Sequence, residues 1–312
     1  RTGPEQPGFR ACAPRLPLQD RPPPARPRSV ADITSCPFGG TPNAFVGPVR
    51  KDVRVIATPP VGNAKNSGAK PFLLVVCRPG GAIAVDERKT IVERGGLDPR
   101  RDVVDVSLLD PGAPHPAEMD FADYSGVFIT GSPFGFGESD KSPEHRRMEE
   151  RVLSLAGRLV DEDVPTLALC FGMQAVAIAL GGSLIDGFGE DLQAPVITLT
   201  DEAAHDAVAS RLPPTFRAYV GHSESVGTPP GDAVLLATGD FCRTQMVRWG
   251  RNVYGTQFHP EITTPGMRIR IDAYGDAYYP AHEKAAVIAR CDAADVEGGN
   301  RIITEFVRRY RS

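Results

Sequence analysis

The sequence predicts an α/β fold in which helices flank a mostly parallel central sheet, with a smaller β-rich section. Apolar runs alternate with helical patterns between residues 72 and 180, which is typical of a parallel sheet covered on both faces. After residue 183 shorter apolar runs follow one another closely, as successive β-strands do. The contents of 41% apolar and 24% charged residues are ordinary for a globular protein.

Residues 1–70 differ in composition from the rest of the chain. They contain 13 of the 30 prolines and show little apolar periodicity. Such a segment buries too little surface to offset the entropy of ordering it, so we expect a disordered tail. Residues 71–312 are expected to form a single domain, which includes a helical C-terminal extension from about residue 264.

The first half of this domain is predicted from apolar runs and helical spacing. Ser142, Pro143 and Glu144 favour a helix start, because they suit the cap, the first turn and the helix dipole in that order. The strands are predicted at 72–77, 103–108, 126–130 and 166–169, and the helices near 85–94, 143–160 and 174–180.

The second half is predicted as five strands in quick succession and two closing helices. The strands occupy 194–200, 216–222, 233–238, 245–249 and 252–258, and the helices lie near 266–275 and 298–310.

Cys170 stands at the corner between a predicted strand and a predicted helix, in PTLALCFGMQAVAIALGG at 165–182. A chain that turns straight from a strand into a helix strains one residue and needs small neighbours, here Gly172, which is the pattern of a nucleophile elbow. The positive end of a helix dipole favours a thiolate at such a position. A buried structural cysteine is the alternative.

His259 and Glu261 are the candidate partners of this thiol, which needs a base and an orienting group. They follow the predicted strand 252–258, and Pro260 biases His259 toward an extended backbone. In an extended segment residues i and i+2 point to the same side, so Glu261 can reach the imidazole. An ordinary His-Pro-Glu turn is the alternative.

Composition and motifs argue against several other functions. The net charge of −4 gives no basic footprint for nucleic acid, and no apolar run approaches the ~20 residues of a membrane span. The six cysteines form no C-x-x-C pair, so we expect reduced thiols in a cytoplasmic protein rather than disulfides or a metal site. No phosphate-binding glycine motif is present, and we expect no cofactor.

Three motifs together resemble the class I glutamine amidotransferases, especially the amidotransferase domain of GMP synthase and its stand-alone relatives. FITGSPFGF at 128–136, ALCFGMQ at 168–174 and FHPE at 258–261 stand in the family's order and spacing. The resemblance covers roughly residues 72–262. It implies a flavodoxin-like fold and the hydrolysis of L-glutamine to glutamate and ammonia through a thioester on Cys170.

The resemblance also implies a role for each matching residue. His259 would pass a proton to the leaving ammonia, and Glu261 would orient His259. The backbone N–H groups of Ser132 and Phe171 would form the oxyanion hole. Substrate-binding roles are implied for Gly131, Gln174, His222, Ser223 and Glu224.

Three positions depart from the family pattern. Ser132 stands where a second glycine is frequent, but a backbone N–H is the donor there, so function should survive. Ala168 replaces the usual glycine before the nucleophile and would tighten the elbow. Gln193 replaces a common glycine in the segment that shapes the glutamine pocket, so this change bears on substrate affinity.

The expected function is therefore a glutaminase that delivers ammonia to an ATP-dependent synthetase. The ~50 residues after Glu261 are too few for a nucleotide-binding domain, so a separate synthetase or another acceptor is expected. A γ-glutamyl hydrolase acting on peptide or amine conjugates is one alternative, and a non-catalytic regulatory or binding homologue is another. A redox protein would leave FHPE unexplained.

Deleting residues 1–68 should change neither the melting temperature nor the basal glutaminase turnover, because a proline-rich segment has little apolar surface to bury. Thermal unfolding and turnover of the full and shortened chains check this. A large fall in melting temperature would show that the tail packs on the domain.

Overall fold

The computed structural model describes residues 69–312, apart from the side chains of 275–277. The predicted tail therefore lies almost wholly outside the described residues, and the division into a tail and one domain stays a prediction. The first half contains β1 (Phe72–Val76), α1 (Ala82–Gly95), β2 (Val103–Ser107), β3 (Gly126–Ile129), α2 (Pro143–Asp161), β4 (Thr166–Leu169) and α3 (Phe171–Ala179).

The second half is built mainly from short strands. These are β5 (Leu184–Ile185), β6 (Glu190–Gln193), β7 (Val196–Leu199), β8 (Thr215–Arg217), β9 (Val220–His222), β10 (Ser225–Val226), β11 (Val234–Gly239), β12 (Met246–Trp249) and β13 (Val253–Thr256). Three helices close the chain, α4 (Thr264–Tyr278), α5 (Lys284–Asp292) and α6 (Glu297–Tyr310).

One nine-stranded sheet carries most of these strands, in the order β2-β1-β3-β4-β13-β12-β11-β7-β8. The pairs from β2 through β13 are parallel, and the pairs from β13 to β8 are antiparallel. The predicted fold class is confirmed. The β-rich section extends the parallel sheet through β13 and adds two small antiparallel pairs, β5 with β10 and β6 with β9.

Alternate residues of the central strands enter two separate apolar cores, as the two-residue period of a strand requires. Phe72 and Leu74 of β1 pack in the core beneath α1 and α6. Leu73 and Val75 pack in the core beneath α2 and α3. A third cluster forms where α4 and α5 cover Leu192.

The sequence predictions for the second half need correction in three respects. Strands β5, β6 and β10 were not predicted, because each is only two to four residues long. The predicted strand 216–222 is divided into β8 and β9, because Tyr219 between them pairs with His259 instead, accepting its backbone N–H at 2.8 Å. Helix α5 was not predicted. It buries only Val287 and Cys291, so its sequence shows a single turn of apolar spacing, which is too little for a helical pattern.

The described cysteines, 77, 170, 242 and 291, are free and buried, as expected for reduced thiols. Cys12 and Cys36 lie outside the described residues. Between residues 69 and 312 no helix is long and apolar enough to cross a bilayer.

The turn from β4 into α3 has the strain predicted for a nucleophile elbow. Cys170 has φ 47° and ψ −98°, a conformation that non-glycine residues rarely adopt and that costs of order 1–3 kcal/mol. The backbone N–H of Cys170 donates to the carbonyl oxygen of Thr256 at 2.6 Å, which fixes the corner against β13.

Gly172 allows α3 to approach β3. A Cβ atom at Gly172 would lie 3.0 Å from the Cβ, Cγ2 and carbonyl oxygen of Ile129. Gly172→Ala should therefore lower the free energy of unfolding by about 1–2 kcal/mol through overpacking. Gly157→Ala in α2, where an added Cβ meets nothing within 4 Å, should raise it by up to about 1 kcal/mol through helix propensity.

Urea unfolding of both variants measures these changes. Equal stabilisation by the two substitutions would show that α3 does not lie as close to β3 as described.

Candidate active site

Cys170 and His259 lie at the same edge of the sheet because β4 and β13 are parallel neighbours. In their register Ala168 is opposite Gly255 and Leu169 is opposite Thr256. The residues that follow the two strands therefore meet at their C-terminal ends, where parallel sheets place their sites. Ala168, which replaces the usual glycine of the family, is fully buried. Its partner in β13 is Gly255, so a residue without a side chain lies opposite the added methyl group.

His259 and Glu261 are joined as the sequence predicted. Nδ1 of His259 lies 2.6 Å from Oε1 of Glu261, and both side chains are buried. Cys170 lies close enough to the imidazole to raise its pKa. The thiol and the carboxylate therefore both act on the same buried imidazole.

Electrostatics favour a charged pair at His259 and Glu261. Burial alone would lower the pKa of His259, but the Glu261 carboxylate and Cys170 raise it to about 10. Burial would raise the pKa of Glu261, but His259 and Arg270 hold it below its usual range. The imidazole is thus protonated at neutral pH and able to donate a proton.

A buried network of charges supports Glu261 from behind. Arg270 on α4 lies 3.8 Å from Oε1 of Glu261 and 3.0 Å from Oε1 of Glu87 on α1. Oε2 of Glu87 lies 2.8 Å from Nε of Arg78, which follows β1. Arg270 also contacts Asp86 at 3.3 Å. Because Arg78 and Glu87 are both buried, removing Glu87 would leave Arg78 without its carboxylate partner, at a cost of about 3–5 kcal/mol.

Gly131 allows the loop after β3 to reach the imidazole. A Cβ atom there would lie 2.9 Å from Cε1 of His259 and 3.1 Å from Nη2 of Arg78. Ser132 follows, and its hydroxyl accepts the N–H of Phe134 at 3.1 Å. Phe171 is the first residue of α3, so its N–H belongs to the helix N-terminus.

Of the predicted substrate residues, Gln174 and Glu224 hold the loops around the thiol together. The side-chain Nε2 of Gln174 donates to the carbonyl oxygen of Glu224 at 2.8 Å. The Glu224 carboxylate accepts the N–H of Gly137 at 3.2 Å. Phe136 stacks on Phe171 with ring centroids 4.4 Å apart. These contacts bring the loop after β3 over the start of α3.

His222 and Ser223 occupy different environments. His222 is buried, with Nδ1 3.0 Å from the carbonyl oxygen of Glu224 and Nε2 3.0 Å from Oε2 of Glu190. Its side chain therefore holds the loop in place. Ser223 is exposed. Gln193 ends β6 opposite Val220, half-buried.

Among residues 69–312, Glu190, His222 and Cys242 form the one group of three potential metal ligands, with their atoms within 4.8 Å of one another. Oε2 of Glu190 already accepts a hydrogen bond from the side-chain N–H of Gln245 at 2.8 Å, in addition to its contact with His222. Burial raises the pKa of Cys242 to about 11, and its thiol donates toward the hydroxyl oxygen of Ser225 at 3.6 Å. Hydrogen bonds within the protein therefore account for the positions of all three side chains.

Sequence reasoning missed the charge network and one glutamine. Nothing in the local sequence links Arg78, Glu87 and Arg270, because they come from three separate elements. Gln257 could have been found, since it precedes His259 by two residues in an extended segment and so points to the same side. Its Nε2 lies 3.4 Å from Sγ of Cys170.

The fold and these contacts define an α/β protein with a thiol, imidazole and carboxylate site at the C-terminal edge of its parallel strands. The family model for class-I glutamine amidotransferases matches residues 101–271. The chain belongs to this family.

The chain matches both short relatives, of which it covers about three quarters, and a much longer one, of which it covers about a quarter. It is 31% identical over 160 residues to a glutamine-hydrolyzing GMP synthase subunit from Natronomonas pharaonis, covering 51% of this chain and 76% of that protein. The corresponding protein of Haloarcula marismortui is 33% identical, with 51% and 74% covered. The glutamine-hydrolyzing GMP synthase of Shewanella amazonensis is 33% identical over 146 residues, 45% of this chain, and the chain spans only 26% of that protein's length.

Solved structures show the same fold. A glutamine amidotransferase from Thermotoga maritima superposes with a TM-score of 0.61 and 18% identity over 78% of this chain and 99% of its own. A glutamine amidotransferase from Methylobacillus flagellatus gives a TM-score of 0.56 and 18% identity over 78% and 96%.

The free energy of unfolding should depend on pH through the ionisation of His259 and Glu261. The folded pKa of His259, about 10, exceeds its unfolded value of about 6.5, so its contribution is complete below pH ~6.5 and lost as pH rises through about 10. The lowered pKa of Glu261 makes its contribution disappear in acid. Glu261→Gln should therefore lower the free energy of unfolding most, by about 3 kcal/mol, near pH 5–6.5.

Urea unfolding of wild type and Glu261→Gln at a series of pH values measures this difference. A difference that stays constant from about pH 6 to 10 would show that His259 is neutral in the folded protein.

Proposed function

We propose that this protein is a glutaminase that hydrolyses L-glutamine to glutamate and ammonia through a thioester on Cys170. The observation that carries the proposal is the strained thiol at the start of α3, close to an imidazole that lies 2.6 Å from a buried carboxylate. A protein that only packed its core would gain nothing from straining a cysteine or burying an ion pair.

The mechanism begins with the Cys170 thiolate and the His259 imidazolium. The sulfur attacks the side-chain amide carbon of glutamine, and the N–H groups of Phe171 and Ser132 stabilise the oxyanion. His259 gives its proton to the amide nitrogen, the C–N bond breaks and ammonia leaves. Water then attacks the thioester and gives a proton to His259, and the thiolate departs as glutamate forms.

Glutamine would be held beside Gln174 and Glu224, whose side chains reach the loops around the thiol. The carboxylate of Glu224 suits the ammonium group of an amino acid. The Glu224 carboxylate accepts the N–H of Gly137 at 3.2 Å, so glutamine binding would exchange one donor for another.

We further propose that the ammonia passes to a separate ATP-dependent synthetase in the cytoplasm. The two archaeal relatives are named as subunits of GMP synthase, which supports a division of the two activities between chains. A GMP-synthase-like acceptor is the first to test, because the bacterial GMP synthases also match.

The alternative of a γ-glutamyl hydrolase is less well supported by the site. Cys170 is only 7% exposed. This burial of the thiol favours a small substrate over a peptide conjugate. A non-catalytic homologue would not require Cys170, His259 and Glu261 to remain in contact.

Cys170→Ala should abolish glutamine hydrolysis and leave the fold and glutamine binding intact, because it removes the nucleophile without adding bulk. The purified protein is supplied with L-glutamine, glutamate and ammonia are measured, and the variant's melting temperature and glutamine binding serve as controls. Turnover above a few per cent of wild type in the variant would remove Cys170 from the role of nucleophile.

A further inference from the structure

Gln257 lies on the same side of the chain as His259 and Glu261. The three residues alternate in the extended segment that follows β13, and Gln257 is fully buried. Its side-chain Nε2 donates toward Sγ of Cys170 at 3.4 Å, within the range of a hydrogen bond to sulfur. The Gln257 amide is thus a polar neighbour of the sulfur in addition to the nearby His259 ring.

The orientation of the Gln257 amide is set by its neighbour Gln174. Nε2 of Gln174 lies 3.3 Å from Oε1 of Gln257 and also donates to the carbonyl oxygen of Glu224 at 2.8 Å. If the Gln257 amide were reversed, two NH2 groups would face each other and an oxygen would face the sulfur. The hydrogen-bond network therefore assigns the donor to the sulfur side.

We propose that Gln257 is a further catalytic residue, which donates a hydrogen bond to the Cys170 sulfur and holds it as a thiolate. This role rests on the proposed glutaminase function. A neutral donor is suited to this position, because the buried Arg78 and Arg270 already face the buried Glu87 and Glu261, and the charge of His259 balances that of the thiolate. Another cation would leave a net buried charge at the site.

The contribution of Gln257 changes along the reaction. At the start of the reaction the proton is on His259, the sulfur is negative and the hydrogen bond from Gln257 is strong. When the S–C bond forms, the charge leaves the sulfur and the bond weakens. When water opens the thioester, the sulfur regains the electron pair and the bond strengthens again. Gln257 thus favours the thiolate before attack and its departure afterwards.

The pH dependence of thiol alkylation tests this role without requiring turnover. Iodoacetamide modification of Cys170 is followed in wild type, Gln257→Leu and Gln257→Glu. The midpoint should rise by about one pH unit in Gln257→Leu, because the donor to the thiolate is lost, and at least as far in Gln257→Glu, where a carboxylate faces the sulfur. The turnover number should fall about tenfold in Gln257→Leu.

Thr256→Val is the matched control. Thr256 is the adjacent buried residue, and its hydroxyl donates to the carbonyl oxygen of Phe258 at 2.8 Å. This variant should lose melting temperature but keep the wild-type alkylation midpoint. Because Gln257→Glu preserves the shape of the side chain, it serves where Gln257→Leu fails to fold.

A double substitution tests the orienting role of Gln174. Gln174→Leu should raise the midpoint in the wild-type background and add nothing in Gln257→Leu, because its effect on the sulfur passes through the Gln257 amide. Additive shifts would contradict that route.

Two results would overturn the proposal: an unchanged midpoint in both Gln257 variants, or an equal shift in Thr256→Val. The glutaminase function fails separately. If wild type releases no ammonia from glutamine while the midpoint still responds to Gln257, the contact with the thiolate stands and the substrate is a different one.

Discussion

The parallel pairing of β4 with β13 is the constraint on which the site depends. It sets Leu169 opposite Thr256 and so joins two segments that are far apart in the chain. The backbone of Cys170 is bonded to Thr256, and the residues beyond each strand emerge at one edge of the sheet. Because each strand is covered on both faces by an apolar core, neither can shift its register without exposing buried side chains. The geometry of the thiol and imidazole is therefore as rigid as the centre of the fold.

The second layer of the site consists of charges rather than apolar contacts. Glu261 lies between His259 and Arg270, and Arg270 is held by Glu87 of α1, which also pairs with Arg78. This arrangement links the loop after β1, helix α1 and helix α4 to the orientation of a single imidazole. Buried ion pairs of this kind contribute little net stability, but they tolerate few alternative arrangements. We infer that the network serves mainly to fix the position and charge of His259.

Polar contacts of the surrounding loops complete the enclosure of the sulfur. His222, held by Glu190, fixes the carbonyl oxygen of Glu224, and that oxygen accepts the side-chain N–H of Gln174. Gln174 in turn contacts Gln257 beside the sulfur. The loop around Glu224 is therefore connected to the Cys170 sulfur by hydrogen bonds through two glutamine side chains.

The sequence by itself determined the fold class, the strand-to-helix corner at Cys170 and the pairing of His259 with Glu261. These features are local: apolar periodicity, a small residue after the corner and an i to i+2 relation in an extended segment are all visible in short windows. Only the tertiary structure decided which side chains surround that site. The break between β8 and β9, the charges of Arg78, Glu87 and Arg270, and the contact of Gln257 with the thiol depend on elements that are distant in the chain. Such contacts leave no local pattern, because burial and pairing of charged groups are set by the packing of whole helices and strands.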